Sequence, residues 1–557
     1  MVQSIIETRQ HQMFPTLSPE EIGRVRRFGE RRTYASGDAL ARVGDIAPGL
    51  MIILSGHVDV FERDENRGRE LIVRHVPGAF MGELAQLGGQ PSLVDAIAAE
   101  PVEVVVVPPA RLRALLVGDA ELGERIMRAL ILRRMGLLET GTGGPIIVGS
   151  ADNADVLRLE NFLARNGHPH RRLDPRTDSC AQVLIDKFEV APDELPIVVC
   201  PGGQMLRNPS EMELARCVGL ISSLDPDRIR DVVIVGAGPA GLATAVYAAS
   251  EGLSVLVLDG RAIGGQAGAS ARIENYLGFP TGVSGMALMG RAYSQALKFG
   301  AEIAIPCEAQ RLEAEAVDHG GAVFTVRLGD GEHVRARAVV LACGVRYRRL
   351  AVDRLSEFEG SSVHYWASPL EAKLCVDQEV ALVGAGNSAG QAIVFLASRA
   401  KKVWMLVRGP NLEATMSRYL VDRISGLPNV EVLTRTEVSG LEGKDGRLEA
   451  ITWRTGDKEE RHDIRHLFLF IGADPNTGWL RDTAVALDKK GFVLTGRDLN
   501  SVSKPLETSR RGIFAIGDVR SGSIKRVAAS VGEGAQVVAA VHAYLADLPA
   551  AAAAAHV

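Results

Sequence analysis

The stretch Asp231-Val-Val-Ile-Val-Gly236-Ala-Gly238-Pro239-Ala240-Gly241, running on into Leu-Ala-Thr-Ala-Val-Tyr-Ala-Ala-Ser, decides how the rest of the chain is read. A short apolar run that passes straight into GxGxxG and a helix-forming segment opens a βαβ unit that binds a dinucleotide. Each glycine has a separate reason: Gly236 makes the tight turn, Gly238 lets a pyrophosphate approach the backbone, and Gly241 lets the helix pack on the strand. A second apolar run, Ser254-Val-Leu-Val-Leu-Asp259, puts an acid about 20 residues beyond the glycines, where a ribose hydroxyl would meet it. The glycines alone are a weak sign. Strand, helix, second strand and acid in register are a specific one.

The pattern occurs again in Gln378-Glu-Val-Ala-Leu-Val-Gly384-Ala-Gly386-Asn387-Ser388-Ala389-Gly390, followed by a helix-forming stretch and by Lys402-Val-Trp-Met-Leu-Val, which ends at Arg408. An acid at that place favours NAD, whereas an arginine accepts the 2′-phosphate of NADP. NADPH is therefore the expected nucleotide, with NADH left open and Arg418 a candidate second cation.

Around these fingerprints lie Gly264-Gly265-Gln266, Ile273-Glu-Asn275-Tyr-Leu-Gly-Phe-Pro280, Val339-Val-Leu-Ala-Cys-Gly344, Phe470-Ile-Gly-Ala-Asp-Pro-Asn-Thr477, Gly512-Ile-Phe-Ala-Ile-Gly517-Asp518 and Arg526-Val527-Ala528. Through nearly all of 230–545 this resembles the thioredoxin reductases. The resemblance implies two Rossmann-like α/β domains, one inserted in the other: an FAD domain in two parts, 228–345 and 475–545, and an NAD(P)H domain at 346–474. It implies FAD held along Gly264, Gly265, Gln266, Asn275 and Gly344, with Asp518 on the ribityl chain and the 526–528 backbone at the isoalloxazine. It also implies a homodimer. The family's HRRxxxR cluster is matched only by Arg408, since Val407, Gly409 and Glu413 fill the other places.

The departure that matters is chemical. The family's CxxC and following Asp fall on Trp366-Ala-Ser-Pro369-Leu370, so thiolate, resolving thiol and proton donor are lost together. A flavin-to-disulfide relay is not expected. The electrons of an FAD-dependent NAD(P)H oxidoreductase would then leave to an external acceptor: a quinone or dye, oxygen, a one-electron carrier or a partner's disulfide. Two alternatives stay open, a flavin- or nicotinamide-sensing signalling protein with little turnover and a thioredoxin reductase working without the motif.

Residues 1–140 read differently. Short apolar runs such as Met51-Ile-Ile-Leu-Ser-Gly-His-Val-Asp-Val-Phe61 and Val102-Glu-Val-Val-Val-Val-Pro108 alternate with glycine turns, which predicts a β-roll or barrel closed by one or two helices after Pro109. Gly37, Gly44-Asp45 and Gly82-Glu83-Leu84-Ala-Gln-Leu-Gly-Gly-Gln-Pro91 resemble the cyclic-nucleotide-binding domain. There the turn after Gly-Glu presents backbone N–H groups to the cyclic phosphate. The arginine that family places just after the proline is missing, because Ser92 and Leu93 stand there with Asp95 nearby. Losing a charge-assisted partner costs about 1.5–3 kcal/mol. A degenerate sensor barrel is expected ahead of a cyclic AMP or GMP receptor.

Between them, residues 141–227 resemble a small α/β glutaredoxin-like domain with Pro196 as its cis-proline. Asn153-Ala-Asp-Val156 replaces its CxxC, so a spacer or docking module without thiol chemistry is expected. The six cysteines (180, 200, 217, 307, 343, 375) form no CxxC and no zinc spacing, and are expected to be reduced and buried. A net charge of −5 offers nucleic acid no basic face. No run suits a signal peptide or membrane span, which predicts a cytoplasmic protein with an uninformative tail at 546–557.

Overall fold

The computed structural model describes residues 5–64, 68–82, 84–221, 224–317, 321–329, 331–444, 446–499 and 504–548. Near its N-terminus, two four-stranded antiparallel sheets face each other, in the orders Glu30–Tyr34, Val102–Val107, Leu50–Ser55, Phe80–Met81 and Ala39–Ala41, Asp95–Ala98, Val58–Asp64, Gly68–His75. Period-two alternation explains why the central strands are apolar on both faces. Met51, Ile53, Val104 and Val106 point into the roll, while Leu50, Ile52, Val105 and Val107 point out to two helices. Those helices are Pro109–Gly118 and Ala120–Thr140. The longer one is capped by Asp119, whose side chain accepts from the Leu122 amide, and it stops at Gly141, whose φ of +74° suits a glycine.

The next unit is a four-stranded sheet in the order Arg171–Leu173, Ile146–Val148, Ile197–Val199, Met205–Arg207, with its first pair parallel and the others antiparallel. Its helix Ala154–Arg165 starts at Asn153, whose Oδ1 accepts from the amides of Asp155 (2.8 Å) and Val156 (3.1 Å). The Leu195–Pro196 peptide is cis. One expectation is overturned here. Cys200, at the end of a strand, and Cys217, at the end of the helix Glu211–Cys217, form a disulfide across 17 residues. The folding of that helix back on the sheet brings the two thiols together, which sequence spacing did not reveal. Cys180, Cys307, Cys343 and Cys375 are free.

Two Rossmann-type units follow. In the first, Ile229–Val235 lies between Val255–Leu258 and His333–Leu341, all parallel, and Ile513–Ala515 returns from far along the chain to pair in parallel with His333–Leu341. In the second, five parallel strands run in the order Val363–His364, Leu467–Leu469, Glu379–Val383, Lys402–Val407, Val430–Thr434. The chain's two crossings between these units, Val345–Tyr347 and Ala473–Pro475, pair antiparallel side by side.

The units are packed together. Leu297, on the helix Gly285–Lys298 of the first Rossmann unit, sits in the same apolar cluster as Leu87, Leu112 and Leu116 of the N-terminal roll. Gly219 of the small domain lies so close to Pro91 that a Cβ would come within 2.3 Å of its ring. No helix among the described residues is long and apolar enough to cross a membrane, and no metal-ligand cluster occurs among them.

Candidate functional site

Parallel strands carry their binding sites at their carboxyl ends, and there a cavity of about 2110 Å³ opens between the two Rossmann units, lined by both. From the first unit come Gly236, Gly238, Pro239, Ala240, Asp259, Gly265, Gln266, Asn275, Gly344, Gly517, Asp518, Arg526 and Val527. From the second come Gly384, Gly386, Asn387, Ser388, Ala389, Arg408 and Trp366. Gly241, Gly264 and Ala528 are not part of this lining: the first two are buried and Ala528 is exposed.

The glycines divide into supports and open faces. A Cβ on Gly241 would sit 1.8 Å from the Gly236 carbonyl oxygen, and one on Gly384 (φ +145°) would sit 2.5 Å from that of Phe470. These two are required by packing. A Cβ on Gly238 or Gly386 would meet nothing within 4 Å, so these backbones are bare toward the cavity. Three helices, Pro239–Ser250, Asn387–Ala397 and Val527–Ala546, begin at this cavity with no side-chain cap. Their first amides are left without helical partners and carry the positive end of the helix dipole. Uncapped N-termini beside bare glycine backbone fit the phosphates of two dinucleotides.

Asp259 holds the loop that follows it. Its Oδ2 accepts from the Ala237 amide (2.8 Å) and its Oδ1 from those of Arg261 (2.9 Å) and Ala262 (3.1 Å). A carboxylate offers about four lone-pair directions, so acceptor capacity remains for a ribose. Gln266 donates its side-chain amide to the Val345 carbonyl at 2.5 Å, tying the Gly264–Gln266 turn to the crossing strand. Glu533 accepts from the Gly517 amide (2.6 Å) and from Arg520 (2.5 Å), which fixes the turn that presents Asp518. Burial raises the pKa of Asp518; Lys525 works against the shift and Glu533 adds to it.

In the second unit Arg408 lines the cavity, but Arg418 does not. Arg418 is spent on Asp422, one turn along its own helix, at 2.8 Å. Of the two cations that the sequence suggested, only Arg408 lines the cavity.

Trp366 faces the cavity. Its Nε1 donates to Glu371 Oε1 at 2.9 Å, and the same carboxylate accepts from the Ser368 amide (3.0 Å), the Ser368 hydroxyl and the Asn161 side chain (3.1 Å). Pro369 opens the short helix Pro369–Leu374, and its side chain lies outside the described residues. The free thiols near the site are poor nucleophiles. Burial pushes Cys343, on the cavity wall, up to about 12, and does the same to the fully buried Cys375, where Glu371 adds to the shift. At neutral pH both are thiols, and the thiolate is the reactive form.

Sequence reading missed several cavity residues, among them Arg165, Arg261 and Tyr347. Arg165 comes from the small domain and looked like an ordinary cation at a helix C-terminus. Burial pushes Tyr347 up to about 12, opposed by Arg165 and reinforced by Asp518.

In the N-terminal roll, Gly82 has a φ of +144°, Glu83 lies outside the described residues, and Leu84–Gly88 form a short 3-10 helix; nothing of the Leu84 side chain is described. The Ser92 hydroxyl donates to the Val94 carbonyl at 2.8 Å, and Leu93 is buried beneath Gly143 of the linker, where a Cβ would come within 2.2 Å of the Leu93 oxygen. Asp95 is buried and accepts from the Val43 amide at 2.9 Å. A cation does approach the cassette, from the closing helix. Arg133 donates to the carbonyls of Gly82 and Met13, both at 2.9 Å, between the rings of Phe14 and Phe80.

Comparison with known proteins matches residues 230–534 to the pyridine nucleotide-disulphide oxidoreductases and residues 31–119 to the cyclic nucleotide-binding domain. A thioredoxin reductase of Mycolicibacterium smegmatis is 33% identical over 310 residues, 55% of this chain and 93% of its own. The NADPH-dependent thioredoxin reductase 3 of Arabidopsis thaliana is 32% identical over 339 residues, 58% of this chain and 60% of its own. Among solved structures, the T. acidophilum thioredoxin reductase is 27% identical with a TM-score of 0.52, over 58% of this chain and all of its own.

Proposed function

Because the chain belongs to the pyridine nucleotide-disulphide oxidoreductase family and is an NAD(P)H-dependent flavoprotein oxidoreductase similar to thioredoxin reductases, we propose that it passes electrons from NADPH by way of FAD to an acceptor outside the chain, without an internal dithiol relay. One observation carries this reading. A single cavity joins both glycine-rich loops, and Trp366, which stands where the resemblance to thioredoxin reductases would place a cysteine, lines it.

The bound cofactors supply hydride chemistry, and the chain supplies position and electrostatics. In this reading Gly236, Gly238 and the start of the Pro239–Ser250 helix seat the FAD diphosphate, Asp259 the adenosine ribose and Asp518 the ribityl chain. Gly384, Gly386 and the amides from Asn387 seat the nicotinamide dinucleotide, and Arg408 takes its 2′-phosphate. Trp366 closes one side of the cavity, anchored by Glu371.

The N-terminal roll is the regulatory module. Its cassette helix meets Leu297 on the helix Gly285–Lys298, and Met289 of that helix is packed so tightly on Gly264 that a Cβ there would come within 2.6 Å. A shift in the cassette would thus reach the flavin loop through one helix.

NADPH oxidation by the purified protein tests the proposal. Turnover with a quinone or dye acceptor is expected, with no acceleration on adding thioredoxin. Thioredoxin-coupled turnover that survives Cys375→Ser refutes it.

A further inference from the structure

Two guanidinium groups at the cavity lack a counter-charge. Arg165, from the small domain, uses one Nη2 hydrogen on the Gly265 carbonyl at 2.8 Å, while its Nε is buried with no partner among the described residues. Arg261 lies beside it, with its side chain in no hydrogen bond or ion pair among the described residues. The two guanidiniums lie over the Trp366 ring at 5.7 and 5.0 Å. Asp259 and Glu211 act on Arg165 only at a distance, and Arg261 opposes its charge. Two adjacent cations, one largely buried, are unfavourable until an anion arrives between them.

The position says which anion. The carbonyl that anchors Arg165 belongs to Gly265, and a Cβ on Gly265 would lie 3.2 Å from the Gly238 Cα. Gly238 is the N-cap of the uncapped helix Pro239–Ser250. A dinucleotide bound at this fingerprint has its diphosphate at that helix start, within reach of a guanidinium fork fixed on Gly265. The small domain is held there by further bonds: Asn166 donates to the Arg261 carbonyl at 3.2 Å and accepts from the Ile263 amide at 3.4 Å.

We propose that Arg165 and Arg261 clamp the FAD diphosphate, so that the small glutaredoxin-like domain completes the flavin site. This rests on the assignment of FAD to the first fingerprint. It gives that domain a use that needs no cysteine pair: a planar guanidinium matches phosphate oxygens in a paired, directional way that a lysine does not.

The test is FAD binding to the full-length apoprotein, read by flavin fluorescence, for wild type, Arg165→Gln, Arg165→Lys and Arg261→Gln. Losing one charge-assisted contact should raise the Kd about ten- to a hundredfold for each Gln variant, and less for the Lys variant. ADP, which carries the diphosphate, should lose affinity in parallel, whereas adenosine should not. Folded Gln variants that bind FAD like wild type overturn the clamp, and so does an equal loss for ADP and adenosine. Should Arg165→Gln fail to fold, Arg261→Gln decides, because no hydrogen bond or ion pair among the described residues depends on that side chain. Wild-type protein that is yellow and bleached by NADPH, alongside variants of normal FAD affinity, fails the clamp and leaves the proposed function standing. Wild-type protein that binds no FAD fails both.

Discussion

Replacing Gly241 and Gly238 by alanine, one at a time, should separate folding from cofactor binding within four residues of chain. At Gly241 the added Cβ would lie 1.8 Å from the Gly236 carbonyl oxygen and 3.3 Å from Ile234. Ordinary contact needs about 1.5 Å more, and both obstacles are a strand and turn locked in a parallel sheet. Overpacking of this kind costs about 1–3 kcal/mol. At about 2–4 °C per kcal/mol, the apoprotein transition should fall by about 2–12 °C. Gly238 is the opposite case. Its φ of −74° suits any residue, and a Cβ there meets nothing within 4 Å. Gly238→Ala should leave apoprotein melting within about half a kcal/mol of wild type, yet weaken FAD binding at least tenfold by pushing the diphosphate off the helix start. Differential scanning calorimetry of apoprotein and FAD titration supply the two readouts. The reverse pattern, a destabilised Gly238→Ala with normal FAD affinity beside a stable Gly241→Ala, would refute the division of labour.

Further tests address other parts of the chain. Thiol titration of the denatured, unreduced protein should count four thiols of six, because Cys200 and Cys217 are joined; Cys200→Ser should cost about 3 kcal/mol from the released 17-residue loop. Since burial raises the Asp518 pKa in the folded apoprotein, native protein binds the proton more readily than unfolded chain, and stability falls as pH climbs from the unfolded value through the raised one. Asp518→Asn should therefore stabilise the apoprotein at pH 7, by a margin that shrinks as pH is lowered toward 4, while lowering FAD retention; equal melting curves at every pH would argue against it. Isothermal titration should find no binding of cyclic AMP or GMP at or below micromolar, since Ser92 and Leu93 bring no cation and Arg133, buried between Phe14 and Phe80, holds two backbone carbonyls through its Nε and Nη1.

The cofactor loops were legible in the sequence because their logic is local. A turn glycine, a bare glycine, a packing glycine and an acid one strand later are spaced by the geometry of one βαβ unit. Arg165 was not legible, since its meaning depends on the docking of a separate domain some 70 residues upstream of Gly238. The Cys200–Cys217 bond was hidden likewise, because only the return of the Glu211–Cys217 helix onto the sheet makes 17 residues a short distance. Arg418 lies outside the cavity lining and pairs with Asp422, an i,i+4 partner already visible in the sequence and of a kind helices commonly make. Arg133 shows the converse. No cation follows Pro91, yet one reaches the cassette from a helix about 40 residues later and donates there to the Gly82 carbonyl.

The central claim, that NADPH electrons reach a flavin and leave without any thiol of this chain, is tested most directly by anaerobic titration of the thiol-alkylated holoprotein with NADPH. Flavin absorbance should bleach at stoichiometric NADPH and return on adding an oxidised dye. A flavin that stays oxidised, or one that bleaches but passes electrons on only when its cysteines are unblocked, contradicts the account.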